Sequence, residues 1–282
     1  MPFKFEEVGV YSNPVFFGPK PWEIDYEHMC YRLHQPAETT VMTVAYESDY
    51  DKLEALVPEC FKLVEPVVTV MACQFERIGW LAGNSYNIYQ VSIPCTFDGE
   101  RDHVTGDFLL CLFENHCDPI VGGREGLGYT KIFCNIPNFK MLNGVWTVPT
   151  SSWDFTFSKL TVDTNKACPD EARLLEVLNR SQGKMNFKFI PGTGKAEPDA
   201  AYPVFNPKWK MPDNYPFKDQ MIETKVINCD GNVEWFSPTW EEMPTYSHLA
   251  QYMAACPVKK IIGAQLKYYS DPCDFSHSIQ LK

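Results

Sequence analysis

At 282 residues, with 45% hydrophobic, 14% aromatic and 22% charged side chains, the chain has enough apolar material for a large core and no compositional sign of disorder. The formal charge of −11 is not offset by any Lys/Arg cluster; phosphate-backbone binding needs a basic face, so a nucleic-acid partner is excluded. No stretch approaches the roughly 18 uninterrupted apolar residues of a membrane span, and residues 1–14 carry Glu6 and Glu7 without a basic start or apolar run, so neither a membrane partner nor export is expected and the chain reads as cytoplasmic.

Residues 1–36 are rich in Pro, Gly and aromatics without a steady period and read as an extended arm. Residues 37–282 read as one domain, long for an average fold but within the range of a large mixed or all-β unit. Short β-branched and aromatic runs predict strands at 39–46, 67–75, 86–97, 107–114 and 131–136, then at 153–162, 184–190, 225–229, 232–236 and 259–269. Asp230-Gly231, between two of these, predicts a two-residue hairpin turn. In 153–162 the order Trp-Asp-Phe-Thr-Phe-Ser alternates apolar with polar, the mark of an antiparallel strand with one wet face.

Helices are few: 49–57, 169–180 and 239–255, the last interrupted at Pro244. Residues 191–216, rich in Pro, Gly and Lys, read as a surface or lid-like loop. Many strands, few short helices and no βαβ alternation predict an α+β, mainly β domain built on a curved antiparallel sheet or closed barrel.

The 11 cysteines are odd in number, and Cys73, Cys95, Cys111 and Cys134 fall inside apolar runs, as reduced buried thiols do. His116, Cys117 and Cys111 lack any Cys-x-x-Cys or His-x-x-x-His companion, so no metal is expected. Asn179-Arg180-Ser181 fits the glycosylation pattern but sits on a predicted helix in a chain read as cytoplasmic, and is discounted.

The stretch that carries chemistry is Gly122-Gly123-Arg124-Glu125-Gly126-Leu127-Gly128-Tyr129-Thr130-Lys131. Four glycines in seven residues imply a backbone that turns tightly or approaches another group closely. The spacing fits neither a P-loop nor a dinucleotide fingerprint. Lys131 opens the apolar run Ile132-Phe133-Cys134, and a buried lysine is either paired or pushed toward its neutral, nucleophilic form.

Arg124, Glu125, Tyr129 and Lys131 resemble the hallmark of the acetoacetate decarboxylase family, a Gly-Arg-Glu followed by Tyr/Phe-x-Lys. Upstream the resemblance extends through residues 46–49, 57–59 and 65–66, and downstream through 257–261. It implies a β-rich, cone- or barrel-like domain, no cofactor, and Lys131 as a Schiff-base lysine acting on a small-molecule keto acid or ketone; acetoacetate decarboxylase is itself the standard example of a lysine activated in this way. A homo-oligomer is expected by analogy alone.

Departures from that family bear on the reaction. The second lysine that follows the nucleophile is here Ile132, the family's two pocket carboxylates fall near Met71 and Ile88, and its early arginine falls near Thr39. Glu38, Glu76 or Arg32 are substitutes only if the alignment shifts locally. Arg124 and Glu125, being adjacent, are expected to hold the loop and position the Lys131 strand; Tyr129, Tyr268 and Tyr269 are candidate proton donors or acceptors, and Trp80, Met71, Ile88 and Tyr86 candidate pocket walls. The leading expectation is a lyase that decarboxylates a β-keto acid through an iminium on Lys131. The alternatives are an iminium-based aldolase, dehydratase or cyclase in a biosynthetic pathway, and a non-catalytic small-molecule-binding relative.

Overall fold

In the computed structural model the described residues are 36–208, 210, 211, 213, 215, 217–271 and 278–282, together with 2, 4, 5, 13 and 14. Arg32 and nearly all of the expected N-terminal arm lie outside them.

The elements run β1 (Ala37–Glu47), α1 (Tyr50–Glu54), β2 (Phe61–Leu63), β3 (Val67–Glu76), β4 (Tyr86–Asp98), β5 (His103–Glu114), α2 (Cys117–Gly122), β6 (Lys131–Phe133), β7 (Lys140–Leu142), β8 (Val145–Ser152), β9 (Phe155–Asp163), α3 (Glu171–Asn179), β10 (Gly183–Ile190), β11 (Ala200–Pro207), β12 (Lys225–Trp235), α4 (Ser247–Ala255), β13 (Lys260–Asp271) and β14 (Ile279–Gln280). The strands form one sheet in the order β14-β11-β10-β5-β4-β3-β1-β13-β12-β9-β8-β7, with β2 added to β4 and β6 to β5.

Mainly-β character is as the sequence predicts; closure and a purely antiparallel ladder are not. Among the described residues the sheet is open, and β5 pairs in parallel with both β6 and β10. Closing a sheet requires its terminal strands to pair with a consistent stagger. Here the ends are β14, two residues long, and β7, three residues long, the short edge strands with which open sheets end without inviting further pairing.

Residues along a strand point alternately to opposite faces, and the central strands bury both. One face packs Met42, Val44, Val70, Ala72, Tyr89, Val91, Cys111 and Phe113. The other packs Val41, Cys73, Phe75, Tyr86, Ile88 and Leu112. Strands covered on both sides read as near-continuous apolar runs, which is why β1, β3 and β4 are plain in the sequence while their orientation is not.

Three further expectations are corrected. Asp230-Gly231 is not a hairpin: β12 runs straight through it, pairing at 225–229 with β13 and at 230–235 with β9. A Cβ at Gly231 would lie 2.6 Å from the Ala264 Cβ and 2.8 Å from the Thr161 carbonyl, so glycine serves close approach where the strand changes partner. Residues 191–216 are not one long loop, because β11 lies within them, antiparallel to β10. The helix expected over 239–255 begins at Ser247, beyond Pro244, and α2 is an unforeseen helix.

Among the described residues no helix is long and apolar enough to cross a membrane. The nine described cysteines are free thiols. Burial pushes the Cys111 and Cys95 thiols up to about 12 and Cys229 up to about 11, and the thiolate is the reactive form. Cys117 is the exposed one of the nine, so brief iodoacetamide treatment of the native protein at pH 8 is expected to alkylate Cys117 first among these nine, read by peptide mass spectrometry; early labelling of Cys111 would contradict the packing.

Candidate active site

Parallel neighbours need a crossover, and residues 115–130 provide the one between β5 and β6. His116 caps α2, its Nδ1 accepting from the Asp118 N–H at 3.3 Å. A π-helical turn, Gly123–Leu127, follows and ends at Gly128 with φ of 76°, a left-handed conformation that glycine adopts without steric cost. The glycine-rich stretch thus wraps back over the strand it precedes. Arg124 Nη1 donates to the Lys131 carbonyl at 2.8 Å, while Glu125 is exposed and its carbonyl accepts from Lys188 Nζ at 2.6 Å.

Lys131 opposes Leu112 in the parallel ladder, so its side chain shares a face with Leu112 and, two residues on, Glu114. Both members of this pair are withdrawn from water: Lys131 is 6% and Glu114 1% exposed. Lys131 Nζ lies 2.9 Å from Glu114 Oε1, donates to the Pro119 carbonyl at 3.0 Å, and sits 5.4 Å from the Tyr129 ring centre. The other carboxylate oxygen, Glu114 Oε2, is buried without a hydrogen-bond partner among the described residues.

Burial pushes the Glu114 carboxyl above its ordinary value, opposed by the Lys131 ammonium beside it. The Tyr129 hydroxyl is also pushed up, first by burial and then by the negative charges of Asp271 and Glu114. A buried amine and a buried carboxyl in contact can exchange a proton, which yields the free amine that attacks carbonyls.

Gly123 is fitted to this arrangement, since a Cβ there would run into the Lys131 side chain, 2.7 Å from Nζ. Gly123→Ala is therefore expected to displace the Lys131 amine by about an ångström, a misplacement that costs a reacting group roughly 100-fold. Circular dichroism and borohydride trapping measured together check it; unchanged trapping in a folded variant contradicts the packing.

The predicted pocket walls are brought together. Trp80, Met71, Ile88 and Tyr86 share one apolar cluster with Leu112, Tyr129 and Tyr269. Tyr268, by contrast, packs on the opposite face, 6.1 Å from the Trp146 ring centre, whereas Tyr269 lies on the Lys131 face and donates to Asp271 Oδ2 at 3.0 Å. Glu38 pairs with Arg77, and Glu76 is exposed, so neither reaches Lys131. A cavity of about 280 Å³ beside β6 is lined by Leu110, Thr130, Ile132, Phe187, Leu249 and Arg124 among others, the neighbours of Lys131 rather than Lys131 itself.

Residues 12–268 match the model of the acetoacetate decarboxylase family. The chain belongs to that family.

An acetoacetate decarboxylase 2 of Mesorhizobium japonicum is 37% identical over 93 residues, which is 32% of either chain. An acetoacetate decarboxylase of Chromobacterium violaceum is 34% identical over 93 residues, 32% of this chain and 34% of that one. The matched segment thus spans about a third of the length of these curated relatives. Among solved structures, acetoacetate decarboxylase from Legionella pneumophila has a TM-score of 0.61 at 17% identity, covering 88% of this chain and 86% of that one. The enduracididine biosynthesis enzyme MppR complexed with pyruvate has a TM-score of 0.61 at 12% identity, covering 98% of both. At these identities the likeness is one of fold.

Against the acetoacetate decarboxylase pattern, the ladder carries a feature that the sequence did not reveal. Met71, near which the sequence reading puts one family carboxylate, pairs directly with Gln90, and Ile88, near which it puts the other, pairs directly with Glu114. Each of these two positions thus has a polar residue one strand over, on the same face. Glu114 carried one readable signal, an acid ending the apolar run Phe108-Leu109-Leu110-Cys111-Leu112-Phe113; Gln90 carried none.

Proposed function

We propose that Lys131 forms a Schiff base with a small keto acid or ketone and that the chain is a carbon–carbon lyase, with decarboxylation of a β-keto acid as the leading reaction. The observation that carries this reading is the amine of Lys131 held 2.9 Å from the Glu114 carboxylate in a site nearly closed to water. Glu114 takes the ammonium proton, and the Nζ lone pair adds to the ketone carbon. Loss of water from the carbinolamine leaves an iminium. Its nitrogen accepts the electron pair freed as the bond from the α-carbon to the carboxylate breaks, so carbon dioxide leaves and an enamine remains. Protonation of the enamine carbon and attack of water on the resulting iminium release the ketone and restore Lys131.

One observation favours a second reading. A carboxylate against Nζ can also take a proton from the α-carbon of the iminium, which gives the same enamine without loss of carbon dioxide and opens aldol, dehydration or cyclisation chemistry. Intact mass of the wild type and Lys131→Ala after incubation with acetoacetate, pyruvate or longer β-keto acids plus borohydride tests the shared step. An adduct confined to the wild type is expected, and its absence with every substrate would leave the non-catalytic binding role. Carbon dioxide release, against deuterium uptake at the α-carbon without it, separates the two reactions.

A further inference from the structure

Gln90 stands in the middle of β4, 4% exposed, and its amide Nε2 has no acceptor among the described residues. The Trp80 indole Nε1 is buried and equally unpartnered, as is the hydroxyl of Thr39, which is 2% exposed. Buried donors are nearly always satisfied, and an orphan one calls for an explanation.

All three lie on the face of the sheet that carries the reactive amine. Lys131, Leu112, Gln90 and Met71 form one row across β6, β5, β4 and β3. Thr39 pairs with Phe75, which pairs with Tyr86, and Trp80 meets Tyr86 edge-on at 6.3 Å between ring centres. An indole N–H only donates, an amide nitrogen only donates, and neither is charged.

The geometry points to a second station for the substrate: we propose that Gln90 Nε2 donates to an uncharged carbonyl oxygen at the far end of the ketone or keto acid whose near carbonyl Lys131 attacks. For the near end this rests on the Schiff-base reading above. A distal carboxylate fits poorly, because burial of a full charge needs a countercharge and the residue across from Ile88 in this cluster is itself the acid Glu114. Two strand spacings, about 9 to 10 Å, separate the Lys131 and Gln90 backbones. The distal oxygen therefore lies roughly four to six bonds beyond the reacting carbonyl, after allowance for a hydrogen bond of about 3 Å.

Three ketones of matched length test this without decarboxylating: 4-oxopentanamide, 4-oxopentanoate and 2-hexanone. Their affinities for the wild type, Gln90→Leu and Gln90→Met are measured by calorimetry, with borohydride trapping on Lys131 run alongside. The wild type is expected to bind the amide about tenfold more tightly than 2-hexanone, a step on the scale of one added hydrogen bond. In the folded Gln90 variants that preference falls severalfold while 2-hexanone affinity stays within about twofold. Equal wild-type affinity for amide and alkyl ketone, tightest binding of the carboxylate, or an equal loss for all three ketones in the variants would overturn the proposal. The two readings fail separately: a preference for the amide without any trapped adduct sustains the station and removes the imine, and an adduct without preference does the reverse.

Discussion

Lys131→Met is expected to abolish borohydride-trappable adducts, lower turnover by roughly 10³- to 10⁶-fold as loss of a covalent nucleophile does, and destabilise the fold by about 3–5 kcal/mol, because it leaves a buried charge without its partner. The stability loss falls on Glu114, whose Oε1 faces Lys131 and whose Oε2 already has no hydrogen-bond partner among the described residues. Its sign with pH follows from the direction of the shift. Burial already raises the Glu114 carboxyl, and the Lys131 ammonium is what opposes that rise, so the variant raises it further. An acid with a higher value folded than unfolded binds more protons in the native state. Native stability is then greatest at low pH and declines as pH rises through the ordinary carboxylate range toward the raised value. Urea unfolding of Lys131→Met should therefore lie close to wild type near pH 4 and fall well below it at pH 7.5. The double variant Lys131→Met/Glu114→Leu, which removes both charges, should regain most of the loss while remaining inactive, since an apolar replacement of a buried pair is often neutral. A single variant as stable as wild type at both pH values would mean that the pair is not confined as described.

How much of this was legible in the chain differs by residue, and the reason is the burial of both sheet faces. Lys131 is legible through the resemblance carried by Arg124, Glu125 and Tyr129 beside it; on its own a lysine at a strand end is ordinarily a surface residue. Met71 and Ile88 are nominated through the resemblance and Trp80 and Tyr86 as aromatics of the adjoining segments, and the four share one cluster. What alternation normally adds, the choice between neighbours, is lost when both faces are apolar: Tyr268 and Tyr269 are adjacent in β13, yet only Tyr269 shares a cluster with Tyr129. Parity along β5 is broken as well, by a register shift at Val91/Ser92, where Val91 pairs with Cys111 but Ser92 with Leu109. Beyond that irregularity no count from Asp107 tells on which side Glu114 falls. The parallel join of β5 to β6 is the other missing fact, since nothing in residues 115–130 announces a crossover rather than a hairpin. Only with that join known does Glu114 become a neighbour of Lys131 seventeen positions away.

Glu114→Gln separates the role of the carboxylate from its mere presence. The amide keeps the shape and still offers an oxygen to Lys131 Nζ, but it can neither take a proton from the ammonium nor return one. Loss of a positioned acid–base group costs about 10²- to 10⁴-fold in kcat, so the variant should form a trappable adduct slowly and turn over at that reduced rate. The wild-type kcat should rise with pH as Glu114 ionises, with its midpoint above the ordinary carboxylate range because burial raises that group. In Glu114→Gln this acid limb should vanish, leaving a flat, low profile over the same range. Stability should move the other way: removal of an acid that is costly to ionise makes the variant's unfolding less dependent on pH between about 4 and 7. A variant that kept the limb would transfer proton exchange to another group, and the Tyr129 hydroxyl, driven up by burial and by the charges around it, ionises too high to produce a limb there. Loss of rate with retention of the limb would therefore reduce Glu114 to a fixed countercharge for the Lys131 ammonium, and the choice between decarboxylation and α-proton removal would then favour decarboxylation, which needs no base to make its enamine.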